Sequence, residues 1–208
     1  MKKVIYTVML GDYELKEPTF KNNGWEFICF SDRPRNSKTW TVWTNYAHHI
    51  DPRKTSRHLK ILSHNFIYYD MAVYIDAKFR VRCCLDHFVK KNLHPKADLA
   101  VMEHPKRKCA YDEAEFCIKI GKDKEEVIRS QINFYKSQGF PRNYGLYAPG
   151  IMIKRNSYKT NTFMNSWVNE INNHSYRDII SFPYVLWNQP LTLSLMDFKD
   201  TYRRFRSV

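Results

Sequence analysis

Residues 51–79 read DPRKTSRHLKILSHNFIYYDMAVYIDAKF, and the fold turns on how this stretch is read. Asp51-Pro52 supplies a cap residue and then a proline in the first helical turn. At 100° per residue, Arg53, Arg57, Lys60 and His64 fall within about 60° of one another. Leu59, Leu62 and Phe66 fall on the opposite face. The pattern predicts a helix docked by its apolar side, with four basic groups along the other. Residues 71–75, MAVYI, follow as an apolar run of strand length. Asp76 stands where that strand leaves the sheet. In open α/β sheets, ligands bind beyond the carboxyl ends of the strands. A basic stripe next to a strand-end carboxylate suits a phosphorylated small molecule such as a nucleotide sugar.

Outward from this stretch the chain reads as mixed α/β. Residues 3–9 and 25–30 are rich in β-branched and aromatic residues and predict core strands; 40–44 is a weaker third. Residues 99–102 and 146–153 predict further strands, the second broken by Pro149-Gly150. Helices are predicted over 110–120, 123–138, 161–173 and 177–187. Asp123 and Glu126 suggest a capping box for the second of these. Phe163, Trp167 and Ile171 recur at four-residue spacing in the third. The order predicts one α/β domain over residues 1–200, with 201–208, TYRRFRSV, as a loose basic tail.

The 208 residues carry a formal charge of +13 and are 43% hydrophobic. That content is enough for a real core, and the charge predicts anionic partners: nucleic acid, a membrane surface or phosphorylated ligands. Five cysteines, an odd number with no CxxC, exclude a disulfide framework and a zinc ligand set. They fit a reducing cytoplasm. No apolar run approaches membrane-spanning length.

Asp76 is the sharpest site candidate. A carboxylate there can hold a divalent cation bridging phosphates, or bind a ribose hydroxyl; its plainer reading is a turn cap. Sugar-nucleotide enzymes of the GT-A type usually carry Asp-x-Asp at this point. Here the sequence is Asp76-Ala77-Lys78, so Lys78 stands as the alternative to a manganese or magnesium ion. Arg57, Lys60 and His64 can contact a diphosphate through charge-assisted hydrogen bonds, or can form a solvated face. Among the carboxylates of residues 111–115, Glu113 is the choice for a functional role, against simple helix-dipole stabilisation. Asp178 can orient or deprotonate an acceptor hydroxyl, or pair with Arg177.

The segments YTVMLGDYE, FICFSD, DPRKTSRHLKILSH, VYIDAKFRV, HPKRKCAYDEAEF, YKSQGFPRNYGLYAPGIMIKRN and SWVNEINNHSYRDIISFPYVLW occur in one order over most of residues 4–187. In that ordered set the chain resembles the glycosyltransferase-like domain family of the plant alkaline-ceramidase-annotated and mucilage glycosyltransferase proteins, which also occurs in bacteria and phages. The resemblance implies a GT-A-like, Rossmann-like fold and a nucleotide-sugar donor, most simply a UDP-sugar. It points to Gly11, Asp32, Arg57, Lys60, Asp76, Glu113, Arg177 and Asp178. The family often has glutamine after Arg-Asp, where this chain has Ile179. The expectation is thus a glycosyltransferase with Asp178 serving the acceptor hydroxyl. On charge and size, the expected acceptor is DNA carrying hydroxymethylated bases, of the kind phages glucosylate. A surface polysaccharide or lipid is the alternative acceptor, and an amphipathic basic helix near the C-terminus would favour it. A nucleic-acid-binding module without a pocket is the non-enzymatic alternative.

Overall fold

The computed structural model describes residues 1–46 and 51–206. Seven strands form one sheet in the order β3-β2-β1-β4-β6-β5-β7. They are β1 (Lys3–Met9), β2 (Trp25–Ser31), β3 (Thr41–Trp43), β4 (Met71–Ile75), β5 (Leu99–Glu103), β6 (Tyr147–Arg155) and β7 (Leu193–Met196). β1 pairs in parallel with β2 and β4, and β2 with β3. β6 runs antiparallel between β4 and β5, and β7 joins β5 in parallel. The carboxyl ends of β1, β2 and β4 therefore lie at one edge, and the N-terminal half of β6 lies beside them. That edge is where a mixed sheet of this kind accepts a ligand.

Helices α1 (Pro52–Ile61), α5 (Tyr158–Asn173) and α6 (Asp178–Asn188) cover one face. Its core holds Tyr6, Phe30, Leu59, Tyr74, Phe163, Trp167 and Phe182, all buried. Helices α2 (Leu85–Asn92) and α7 (Phe198–Phe205) cover the other face over Phe88, Phe79 and Ile153. Helices α3 (Ala110–Lys119) and α4 (Glu125–Ser137) pack beside α6 as a third cluster around Tyr135 and Tyr184, whose rings stack at 3.8 Å.

Helix α1 begins as the sequence predicts. Asp51 Oδ1 accepts the Arg53 N–H at 2.8 Å, and Pro52 occupies the first turn, where its missing N–H costs nothing. It ends a turn earlier than the periodicity suggests. Lys154, buried on β6, donates its Nζ to the carbonyls of Lys60 and Ile61, each at 3.3 Å, and to Ser63 Oγ at 2.8 Å. These bonds satisfy carbonyls of the last turn, and Ser63–Asn65 continue as a 3-10 turn. Phe66 consequently lies exposed rather than on a buried face.

Three further elements differ from the sequence reading. The helix predicted from Asp123 starts at Glu125 with no side-chain cap. Asp123 instead accepts the Ser175 hydroxyl at 2.6 Å, which ties α4 to the loop before α6. Helix α2 was not legible behind its two cysteines. Residues 201–205 of the expected loose tail continue α7, and Arg206 bridges to Phe79. Asp197 caps the helix, accepting the Asp200 N–H at 2.7 Å, and Phe205 is fully buried against Phe88, ring centroids 4.9 Å apart. Burial of an aromatic side chain, worth roughly 2–3 kcal/mol, holds this segment to the domain.

Candidate active site

Asp76 leaves β4 between two other elements. Its N–H donates to the Gly150 carbonyl at 2.8 Å. The Tyr74 hydroxyl donates to Asp76 Oδ1, also at 2.8 Å. A Cβ on Gly150 would lie 2.8 Å from Asp76 Oδ2, so only glycine leaves the carboxylate where it is. Asp76 remains about one-third exposed, 32% for its side chain.

Behind it sits a buried charge cluster. Lys60 Nζ donates to Asp178 Oδ2 at 2.6 Å, and Arg57 Nε lies 3.3 Å from the same oxygen. Lys60 Nζ is also 3.9 Å from Asp76 Oδ1 and 5.0 Å from the centre of the Tyr74 ring. Lys60 is thus not on a solvated stripe: its side chain is 3% exposed. Asp178 opens α6, where the helix N-terminus favours a negative charge. Trp167 Nε1 pins this turn by donating to the Asp178 carbonyl at 3.2 Å and to Ser181 Oγ at 3.1 Å. Burial by itself raises the Asp178 carboxyl; Arg57 and then Lys60 overcome it and hold the group well below the usual carboxylate range. Asp178 thus meets Arg57 and Lys60 on one side and borders the second cavity on the other.

Two cavities meet at Asp76. The first, about 340 Å³, lies between α1 and the ends of β1 and β4, with Leu10, Tyr13 and Arg53 among its walls. The second, about 400 Å³, is bounded by Lys60, His104, Gly150, Arg177 and Asp178 among others. Arg57, Asp76 and Lys78 line both. Arg177 also faces the second cavity, and its buried Nε has no hydrogen-bond partner among the described residues. A concave site joining Arg57, Asp76 and Asp178 disfavours the pocketless binding module.

The remaining sequence candidates stand at differing distances from this centre. Gly11, at φ +91°, donates its N–H to Asp32 Oδ2 at 2.8 Å. Arg35 spans the same loop, donating to the carbonyls of Gly11 at 2.6 Å and Tyr13 at 2.5 Å. Gly11 and Asp32 therefore shape the loop that carries Leu10 and Tyr13 to the first cavity, and line neither cavity themselves. His64 lies on the 3-10 turn beyond α1 and lines neither cavity; burial and then Lys154 push its imidazole down to about 4. Glu113 is also outside them. Its Oε2 accepts from Arg107 Nε at 2.5 Å and lies 3.9 Å from His104 Nε2. Through these contacts it holds the loop that brings His104 to the second cavity.

The sequence reading missed Gly150, Tyr74 and Lys154. A glycine inside a strand signals close approach of another group, and Pro149-Gly150 had been read only as a break. Tyr74 and Lys154 gave no signal, being ordinary members of strands.

The protein offers few oxygen ligands for a divalent cation at the junction; a magnesium ion there would need the donor phosphates as well as a carboxylate. Asp76 already shares Oδ1 with Tyr74 and stands near Lys60, and Asp178 is taken by two cations. Among the described residues, no group of three or more His, Cys, Asp or Glu is placed to hold a metal. Arg57, Lys60 and Lys78 instead supply positive charge at the junction.

The sequence matches the TOD1/MUCI70, glycosyltransferase-like domain family over residues 28–206. None of the curated proteins compared matches it. Among solved structures, mouse xyloside xylosyltransferase 1 in its apo form aligns over 93% of this chain and 85% of its own, with a TM-score of 0.52 and 10% identity. The apo structure of WbbM, a bifunctional glycosyltransferase, aligns over 93% of this chain and 38% of its own, with a TM-score of 0.54 and 10% identity. At such identity these neighbours speak for the fold, and both carry the GT-A arrangement. Among the described residues no helix is long and apolar enough to cross a membrane. The chain belongs to the TOD1/MUCI70 family of glycosyltransferase-like domains and is a glycosyltransferase with a GT-A-like fold.

Proposed function

We propose that the chain moves a sugar from a nucleoside-diphosphate donor to an acceptor hydroxyl, with the diphosphate at the junction of the two cavities. The observation that carries this reading is the wall they share: Arg57 and Lys78 line both cavities together with Asp76. The nucleoside extends toward Tyr13 and Leu10, and the sugar toward Gly150 and His104. In the transfer, the acceptor oxygen bonds to the anomeric carbon as that carbon's bond to the diphosphate breaks. The electron pair leaves on the diphosphate, so fixed cations there lower the barrier directly. Asp76 is the exposed carboxylate at the reacting end, available to hold a sugar hydroxyl or to receive its proton. Mass spectrometry of products from a panel of nucleotide sugars and acceptors tests the reading; hydrolysis and transfer absent with every donor would reject it.

The DNA acceptor rests on charge alone, since neither the family description nor the two structural neighbours names nucleic acid. If DNA is bound, affinity should fall with salt at a log–log slope of about −0.9 per duplex phosphate contacted. A filter-binding titration on hydroxymethylated duplex checks this, and absence of binding at low salt removes DNA.

A further inference from the structure

Helix α7 closes the far end of the second cavity. Phe198 and Tyr202 line that cavity and also an adjoining groove of about 560 Å³, whose other walls are Arg82, Lys199, Arg203 and Arg206. The two spaces therefore share an aromatic wall. The helix is held firmly beneath it. Asp200 accepts from Lys91 at 2.9 Å, Arg203 at 2.8 Å and Arg204 at 3.0 Å, and the Arg80 N–H donates to the Phe205 carbonyl at 2.8 Å.

Three of the cations on the groove have no ion-pair partner among the described residues, although Arg82 Nη1 also donates to the Arg206 carbonyl at 3.4 Å. Arg203 is paired with Asp200, whereas Arg82, Lys199 and Arg206 are exposed and have no carboxylate within ion-pair distance among the described residues. Like charges gathered without an anion favour an anionic ligand, and guanidinium groups match a phosphate in geometry as well as charge. Three cations balance a phosphate or diphosphate better than a single carboxylate. The aromatic wall narrows the choice further. Phe198 and Tyr202 stack on each other, centroids 5.3 Å apart at 24°, and Tyr202 meets Phe79 edge-on at 5.2 Å. The two rings form one short, partly buried wall, room for a single sugar ring, whereas a nucleic-acid strand uses a series of aromatic faces for successive bases.

We propose that this groove is an acceptor subsite for a phosphorylated sugar. The ring lies on Phe198, the phosphate is held by Arg82, Lys199 and Arg206, and the free hydroxyl reaches the cavity at Asp76. The proposal rests on the glycosyltransferase reading above. The phosphate has two sources, a soluble sugar phosphate or a sugar diphosphate carried by a membrane lipid.

Binding is measured by calorimetry on the full chain and on Lys199→Glu/Arg206→Glu, both exposed positions whose change leaves the core intact. Hexose 1-phosphate should bind at least about ten times more tightly than the neutral hexose, and the double variant should lose that difference while retaining UDP affinity. A polyprenyl diphosphate hexose in phosphatidylcholine vesicles is the second arm: tighter binding than hexose 1-phosphate assigns the lipid source, and equal or weaker binding assigns the soluble one. The proposal is overturned if phosphate adds nothing over the neutral hexose, or if the double variant binds hexose 1-phosphate as well as the parent. It is also overturned if a 12-nucleotide single strand displaces the hexose phosphate and is the ligand the variant loses. Failure of UDP to bind the parent chain would reject the donor site instead, because the hexose phosphate measurement does not depend on it.

Discussion

Asp178→Asn is expected to destabilise the domain by about 3–5 kcal/mol, the cost of removing one partner from a buried ion pair. Lys60, with a side chain 3% exposed, loses its 2.6 Å partner and is left with Asp76 at 3.9 Å. For a chain of this length that corresponds to a melting temperature lower by roughly 6–20 °C, read by calorimetry or circular dichroism. The same pair fixes the acid response. The Asp178 carboxyl is held below its ordinary value in the folded chain. Its contribution is therefore fully present above the unfolded value of about 3.9 and is lost as pH falls from there toward the folded one. The parent should lose stability through this window, and the Asn variant should lose less. A variant as stable as the parent at neutral pH would show that Asp178 does not anchor Lys60 and Arg57. Adding Lys60→Met should recover part of the loss, because the buried charge is then removed.

Gly150→Ala is expected to leave the fold intact and lower turnover by about 10²-fold, the scale of an ångström-level misplacement at a reacting centre. The added methyl meets Asp76 Oδ2, the free end of a side chain, at 2.8 Å. The carboxylate yields rather than the strand, so the melting temperature stays close to the parent's while Asp76 swings from its position against Tyr74. Steady-state kinetics beside a thermal melt separates the two effects. Full activity in the Ala variant would remove the Gly150–Asp76 contact from the mechanism, and a large drop in melting temperature would mean that the strand had moved instead.

These two positions also show what the sequence discloses and what it hides. Strands β1 and β4 were legible to the residue, because β-branched and aromatic runs bounded by polar turns leave little choice. Asp76 was legible because a carboxylate directly after such a run falls at a sheet edge. Arg57 and Lys60 were legible as a pair, since four-residue-scale spacing on a capped helix survives folding. His64 falls beyond α1 because the last turn of that helix gives its carbonyls to Lys154, a residue 90 positions away in sequence that no local pattern announces. Asp178 was found but its partners were not, because they come from α1 and the pairing is set by how α1 packs against α5 and α6. The groove at α7 was hidden altogether. The sequence TYRRFR looks like a solvated tail until Phe205 is seen in the core, after which its remaining side chains must face outward.

The central claim is that side-chain cations at Asp76, rather than a metal ion, hold the donor diphosphate. Calorimetric titration of UDP in the presence of excess chelator, into the parent chain and Arg57→Ala, tests it most directly. The account predicts that the parent binds UDP undiminished by the chelator and that the variant binds it more weakly by about 1.5–3 kcal/mol, the range for hydrogen bonds to charged groups. Binding that vanishes with chelator and returns with manganese, or equal affinity in parent and variant, would contradict it.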